Sequence, residues 1–418
     1  MGANHAHGPT APASRRAVLA TLAVLVPLAL ATVVAMIALW PSPPKPAPAD
    51  TGHARYTARI DTVTLTPCGE EPPVEGGQLP PPDPATCGDA RVTFTSGPEA
   101  GQSAQIQLPS GPGAQVFHAG DDAIVIYAPE PTLDASPYRL SDHDRSAPLW
   151  LFGIAFALAV VAFGRWRGLT ALFGLGVTFA VLLLFVLPGI LDGKPPLLVA
   201  IVGASAIMLT VLFLTHGFSL ATSMAVLGTL ASLVVTGALS YLSLDLAHLS
   251  GVSDEAAFNL GMSYSIDTQG LLLASIIIGS LGVLDDVTVT QSVTVGELSH
   301  ANPSYGFRRL YRAGGRVGRA HIASVINTII LAYAGASLPL LLLISVGREP
   351  LGQVLTNPVI AQEIVRSVVG TLGLIAAVPI TTALAALVAR RTQDSHADHA
   401  DHAEPSGRRR RSRHSSVS

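Results

Sequence analysis

Long apolar runs recur along the chain, separated by short polar segments, which is typical of a protein that crosses a membrane many times. A run of about 20 apolar residues is enough to cross the roughly 30 Å of hydrocarbon in a bilayer. We therefore predict about eight transmembrane helices. The predicted spans are residues 18–40, 149–164, 169–191, 196–214, 218–243, 268–284, 321–346 and 364–389.

The segment between the first two runs has a different pattern. A Pro-rich spacer at 41–50 is followed by short β-favouring runs, bounded by Gly, Pro and Asp turn residues. These runs predict strands at 56–66, 90–95, 102–108 and 123–127. The fold class that follows is a polytopic α-helical membrane protein with a small exported β-rich domain, barrel or OB-like, between helices 1 and 2.

Cys68 and Cys87 are the two cysteines of the chain, and they flank a Pro/Gly-rich loop in this β-rich segment. In an oxidising compartment a disulfide there would stabilise the fold by roughly 3 kcal/mol. Free thiols or metal ligands are the alternatives. Because no histidine partner lies nearby in the sequence, we predict the disulfide.

Charge placement predicts the orientation in the membrane. Only 13% of residues are charged, against about 25% in soluble domains. The arginines cluster in loops that the predicted spans place on one side, the side that the positive-inside rule makes cytoplasmic. Both termini are therefore predicted to be cytoplasmic, with residues 41–147 outside the cytoplasm. The clustered arginines are 15, 16, 165, 167, 308, 309, 312, 316, 319, 390 and 391.

The predicted division has five parts: a cytoplasmic tail at 1–17, the anchor at 18–40, the exported region at 41–147, a seven-helix membrane domain at 148–391, and a disordered His- and Arg-rich tail at 392–418. Two segments leave alternatives open. Residues 244–265 predict an outer-surface helix or a re-entrant segment. For residues 287–300 we predict a helical continuation or an interfacial segment rather than a strand, because lipid does not tolerate an unpaired strand edge.

Asp285 and Asp286 follow the sixth span. Neighbouring side chains on a helix diverge by about 100°, so only one of the two can point into the bundle. One interpretation is a proton or cation site; the other is a pair of solvated acids where the helix leaves the bilayer. Gly279 and Gly282, just before the pair, predict close helix packing.

Asn327 and Thr328 lie inside the seventh predicted span. A polar group at such a position either hydrogen-bonds a neighbouring helix or contacts an ion or solute. Both interpretations stay open.

The sequence lacks the motifs of several classes of enzyme. The sequence has no HExxH pair and no Walker loop, and we expect no enzymatic activity and no cofactor. The arginines from Arg308 onward are explained by topology and by attraction to anionic membrane lipid rather than to nucleic acid. A His-rich tract in the tail can bind zinc or nickel weakly, but nothing fixes the ligands, so we predict no metal site.

The runs GLLLASIIIGSLGVLDDVTVTQS (270–292) and GRVGRAHIASVINTIILAYAGASLPLLLL (315–343) resemble the YibE/F family of bacterial multi-spanning membrane proteins. The resemblance implies a protein of the bacterial inner membrane, described as a permease, with no substrate supplied. The residues of this chain that match the family's pattern are Gly279, Gly282 and Asp286, together with the Asn-Thr pair at Asn327 and Thr328. Asp285 is less clearly part of the shared pattern.

Two functions are therefore predicted. The first is an ion-coupled permease for a small solute or ion, in which Asp286 carries the proton or cation and Asn327 and Thr328 contact the cargo. Polar groups on two adjacent spans favour it. The second is a non-transporting scaffold or envelope-assembly protein that acts through the exported β-rich domain.

Overall fold

The computed structural model describes residues 15–42, 54–68, 83–111, 113–127, 136–252, 255–347 and 350–403. The start of the predicted N-terminal tail, most of the Pro-rich spacer and the end of the C-terminal tail lie outside these residues. The chain divides into two compact units. One is Pro44–Arg165, and the other combines Met1–Pro43 with Trp166–Ser418.

The unit Pro44–Arg165 contains a five-stranded antiparallel sheet in the order β3-β2-β1-β4-β5, curled so that β3 and β5 come into contact. The strands are β1 (Arg55–Leu65), β2 (Gly88–Phe94), β3 (Ser103–Gln107), β4 (Asp122–Tyr127) and β5 (Tyr138–His143). Four of them were predicted, and β5 was missed.

Alternation of apolar and polar residues explains why this sheet has one buried face. Ala90, Val92 and Phe94 of β2 point inward, and the same period of two places Ala58 and Ile60 of β1 in the core. The predicted disulfide is present: Cys68 and Cys87 are bonded, with their Cα atoms 5.2 Å apart. It joins the chain just after β1 to the residue before β2.

The core of this sheet also constrains a tyrosine hydroxyl. Burial, together with the Glu99 carboxylate, raises the pKa of Tyr138 from 10.0 to about 12. The unfolded chain therefore ionises this phenol at a lower pH than the folded chain, so stability is lost as pH rises between 10.0 and about 12. We expect Tyr138→Phe to flatten the loss of sheet structure in an alkaline titration followed by phenolate absorbance and circular dichroism. An unchanged alkaline midpoint would contradict this assignment.

The other unit is a bundle of helices. In chain order the helices of the protein are α1 (Arg15–Ala38), α2 (Ser146–Val181), a π-helical turn (Leu182–Val186), α3 (Leu187–Leu191), α4 (Pro196–His216), α5 (Leu220–Leu246), α6 (Glu255–Tyr264), α7 (Thr268–Ala301), α8 (Phe307–Ala336), α9 (Leu338–Gly347), α10 (Leu351–Thr356) and α11 (Pro358–Ala403).

In the part of the chain that the structure describes, seven helices are long and apolar enough to cross a membrane, where the sequence predicted about eight. The difference lies in residues 146–191, which form one helical stretch containing two predicted spans. That stretch is interrupted at Arg165, whose φ of 51° and ψ of −126° are not helical. The unit boundary falls at the same residue.

Other boundaries differ from the predicted spans. Residues 287–300 continue α7 as a helix, as predicted, and α6 supplies a helix within 244–265. The arginines placed in a connector before the seventh span belong to α8 itself, which begins at Phe307. The last helix runs to Ala403, so residues 392–403 of the predicted disordered tail are helical.

Helices α5, α7 and α11 pack against one another in the centre of the bundle, and α4 and α8 pack around them. Their shared core includes Leu212, Val226, Ile277, Leu284 and Leu374. Burying such side chains stabilises a membrane bundle through close packing, because lipid is as apolar as they are.

The end of α1 is tied to the turn before α4. The Asp192 carboxylate accepts a hydrogen bond from the Ser42 amide (3.1 Å) and lies 3.6 Å from the Lys194 ammonium, which also donates to the Trp40 carbonyl. The Ser42 amide, with help from Lys194, holds the pKa of this carboxyl below its usual range. The turn therefore fixes where the chain leaves α1.

Candidate functional site

Asp285 lies on the side of α7 that packs into the bundle. It shares a face with Leu281 one turn before it and with Thr288 and Ser292 after it, and all three of these are buried. Its Oδ1 atom is inaccessible to solvent and has no hydrogen-bond partner among the described residues. A buried carboxylate oxygen without a partner is costly when ionised, which makes Asp285 the candidate ionisable group on this face of α7.

Asp286 points away from the bundle and is exposed at its surface. The two acids diverge, as the sequence predicted, but the residue expected to carry the ion was Asp286. Of the two acids, Asp285 is the one with a side-chain oxygen inaccessible to solvent. The reason is the rotation of α7, which turns the face of Leu281 and Thr288 inward.

The two predicted packing glycines lie on the exposed side of α7 together with Asp286. A Cβ on Gly279 would come 3.6 Å from the Tyr333 hydroxyl of α8. Around Gly282 there is no neighbour within 4 Å among the described residues, so the close helix contact predicted there is absent from them.

Asn327 and Thr328 are exposed on α8 and are not brought to Asp285. The Thr328 hydroxyl donates to the Ser324 carbonyl of its own helix, 3.2 Å away. Helix α8 presents another side to the core, carrying Ile322 with Val325, Ile326 and Ile329. The four predicted site residues therefore do not form one cluster.

A seam of buried hydroxyl groups, which the sequence reasoning missed, runs along α5. Its members, Thr229, Ser232, Thr236 and Ser240, are at most 1% exposed. Each donates a hydrogen bond to the carbonyl one turn earlier, over 2.6 to 2.9 Å. Their spacing of three or four residues is the signal that could have revealed them, because it places all four on one helix face.

Helix α7 completes the seam. The hydroxyls of Thr229 and Thr288 lie 2.6 Å apart. One turn further along α7, the Ser292 hydroxyl donates to the Ala221 carbonyl of α5 at 2.7 Å. The polar contacts thus follow the same face of α7 that carries Asp285.

Gln291 joins three helices. Its buried side-chain amide donates to the Gly314 carbonyl of α8 (2.9 Å) and to the Thr382 hydroxyl of α11 (2.7 Å). A buried amide with two partners specifies how helices pack, since leaving its donors unpaired would be costly. Helix α7 therefore makes polar contacts with α5, α8 and α11 in the interior of the bundle.

Glycines bring these helices into close approach. A Cβ on Gly228 of α5 would overlap the Thr381 side chain of α11, and a Cβ on Gly373 of α11 would overlap that of Thr236. The Thr381 hydroxyl is buried and has no partner among the described residues. It is thus a second unpaired polar atom of the bundle interior, after Asp285 Oδ1.

Replacing Gly373 by valine is expected to lower the free energy of unfolding by about 1–3 kcal/mol, because the stiff Thr236 side chain must move. Gly370, three residues earlier on the same helix, has open space where its Cβ would be, so Gly370→Val is the matched control. Thermal unfolding of the detergent-solubilised protein measures the stability of both variants. Equal melting temperatures for the two variants would disprove the close contact.

A cavity of about 1220 Å³ lies beside the seam, between α1 and helices α4, α5, α7 and α11. Its lining is mostly apolar, including Leu25 and Phe213. Ser292 and Ala221, which hydrogen-bond each other, also line it. The cavity therefore reaches the polar seam two turns along α7 from Asp285.

A second polar group lies near the start of α11 and was also missed. Arg366 forms an ion pair with Glu363 (2.7 Å), and the Gln362 amide donates to the Val252 carbonyl (3.0 Å). Arg366 Nε and Gln362 Oε1 are buried without partners among the described residues. Arg366 lies within a predicted transmembrane span, where a charged side chain usually has a functional role.

The chemistry of the site is that of oxygen ligands. One carboxylate and neighbouring hydroxyls suit a proton or a hard cation. Among the described residues, no group of three or more His, Cys, Asp or Glu side chains could hold a metal ion. The arrangement thus provides a carboxyl group on the same face of α7 as buried hydroxyl groups.

Long apolar helices, a polar seam inside their bundle and a small antiparallel sheet together define a multi-spanning helical membrane protein. The chain belongs to the YibE/F-like protein family, whose sequence profile matches residues 152–391. That match covers the helices that hold Asp285 and the seam. No curated protein and no solved structure matches the chain.

Proposed function

We propose that this protein is a membrane permease in which protonation of Asp285, or binding of a cation to it, is coupled to movement of a small solute or ion. The observation that carries the proposal is the Asp285 Oδ1 atom, which is buried in the bundle without a partner. Acids inside a membrane bundle mark ion pathways and proton relays.

Neighbouring polar groups connect Asp285 to the large cavity. Thr288 and Thr229 extend the polar surface from Asp285, and Ser292 continues it to the large cavity. A solute in that cavity would lie about two turns of α7, or about 11 Å, from the group that changes charge. Coupling then follows because the neutral and ionised forms of Asp285 favour different packing of α5 against α7.

The same proposal includes a topology. Residues 146–191 span about 70 Å as a continuous helix at 1.5 Å per residue, more than twice the hydrocarbon thickness. A break at Arg165 would divide them into two crossings, giving eight in all, with the arginine clusters and both termini in the cytoplasm. The sheet would then lie outside, and its strand order with β3 beside β5 supports an OB-like barrel.

The experiment is charge and proton movement across liposomes that contain the purified protein. A panel of ions and small solutes is screened at several pH values, against protein-free liposomes. We expect a pH-dependent current or uptake with at least one substrate class. Silence across the panel, with protein shown to be folded, would overturn the permease.

The second candidate function is a scaffold that acts through the exported unit. Its support is that residues 44–165 form a compact unit with its own core and a disulfide. Deleting residues 51–140 separates the two functions. A scaffold would lose its cellular phenotype, whereas a permease would keep its flux.

A further inference from the structure

A groove between α8 and α11 combines a basic wall with an apolar floor. Arg312, Arg316 and Arg319 line it from α8, and Ile375, Val378 and Pro379 line it from α11. Its volume is about 430 Å³. The three arginines recur at spacings of four and three residues, so they lie along one face of α8.

The arginines of this groove are available to an outside ligand. All three are exposed, and none forms an ion pair with a carboxylate among the described residues. Three uncompensated guanidinium groups on one helix face attract an anion, and a guanidinium fork matches the oxygens of a phosphate. The charged wall therefore selects a phosphate-bearing ligand.

The floor requires that ligand to be apolar as well. Ile322 continues the apolar surface of Ile375 and Val378 beyond the last arginine. A free phosphate or a nucleic-acid backbone would leave this surface uncovered, whereas an acyl chain would cover it. In a protein with membrane-spanning helices, the molecule that carries both features is an anionic phospholipid.

Pro379 lines the groove and interrupts the backbone hydrogen bonding of α11. Proline has no N–H, so the Ile375 carbonyl four residues earlier loses the hydrogen bond that any other residue would donate. Ile375 and Pro379 both line the groove. The groove therefore lies where the backbone hydrogen bonding of α11 is interrupted.

From these features we propose that the groove between α8 and α11 is a specific binding site for an anionic phospholipid. The phosphate lies against Arg312, Arg316 and Arg319, and an acyl chain lies along Ile322, Ile375 and Val378. The site is separate from the buried face of α7 that holds Asp285. Its occupancy would brace α8 against α11, the two helices that Gln291 also joins.

The test titrates the full-length, detergent-solubilised protein with phosphatidylglycerol or with phosphatidylcholine of identical acyl chains, and counts bound lipid by native mass spectrometry. We expect the wild type to prefer phosphatidylglycerol by about tenfold or more. Two variants should abolish the preference. One is Arg312→Gln with Arg316→Gln and Arg319→Gln; the other is Gly315→Phe, which fills the groove and keeps every charge.

Gly315 suits this test because it lines the groove and has open space where its Cβ would be. The matched control is Arg308→Gln with Arg309→Gln, which removes basic residues of α8 outside the groove lining. We expect the control to retain the preference. Gel filtration and circular dichroism show whether each variant is folded.

Three results would overturn the site. Wild-type binding by Gly315→Phe would show that charge alone attracts lipid, without a groove. Equal losses in the control variant would show a diffuse basic surface. Displacement of the bound lipid by inorganic phosphate would show an anion site with no part for the acyl chain.

Discussion

Asp285→Asn is expected to abolish ion-coupled transport while leaving the protein folded. Asparagine has nearly the same size and keeps a polar side chain at the buried position, but it can neither gain nor lose a proton. The measurement is the proton or charge flux of the variant in liposomes, compared with wild type at equal protein content. We expect the flux to fall to the level of protein-free liposomes.

Asp286→Asn is the matched control, since it makes the same chemical change at the next residue. Asp286 is exposed on the other side of α7, so we expect its variant to transport at a rate close to that of wild type. Full activity in Asp285→Asn, or a loss confined to Asp286→Asn, would refute the role given to Asp285. Comparing the two variants therefore tests the rotation of α7 as well as the role of the Asp285 carboxyl group.

Removing the disulfide is expected to have the second large effect. Replacing Cys68 and Cys87 by serine frees a segment whose ends are 19 residues apart, which should lower the stability of the sheet by about 3 kcal/mol. Hydrogen exchange of β1 and β2 amides in the full-length protein, followed by mass spectrometry, measures the opening of this unit alone.

The reductant dithiothreitol supplies the control for that experiment. Reduced wild-type protein should exchange as fast as the double serine variant, and the variant should not respond to the reductant. Unchanged protection of β1 and β2 in the variant would contradict the expected stabilisation. Exchange in α5 and α7 should be the same throughout, because these helices belong to the other compact unit.

Much of the fold could be predicted from local patterns. Long apolar runs predict α1, α4, α5 and α7 because a spanning helix must be apolar over its whole length. Alternation of apolar and polar residues predicts β1 and β2, and the two cysteines predict the disulfide that links them. The strand β5 was missed because its sequence, YRLSDH, has only two apolar residues, Tyr138 and Leu140, and ends in polar ones.

The interior of the site could not be predicted in the same way. Which of Asp285 and Asp286 is buried depends on how α7 is rotated against α5, and that rotation is set by side chains distant in sequence, such as Thr229. The family resemblance favoured Asp286, and no local pattern distinguishes the two acids. Asn327 looked suited to a site, but the apolar residues of α8 that pack into the core turn it outward.

The hydroxyl seam on α5 was missed for a different reason. Serine and threonine are common in membrane helices, where their hydroxyls hydrogen-bond carbonyls of the same helix, so they do not interrupt an apolar run. A hydropathy pattern therefore treats Ser232 and Thr236 as part of the span. Only their shared face, seen across about three turns, distinguishes them from scattered small residues.

The hydrogen bonds of that seam have a consequence for selectivity. Ser232, Thr236 and Ser240 each direct their hydroxyl hydrogen to a carbonyl of α5, so the part of each oxygen that faces neighbouring helices carries only lone pairs. Such a surface is electronegative over its whole length. Under the transport function proposed above, such a surface would favour protons and cations over anions inside the bundle.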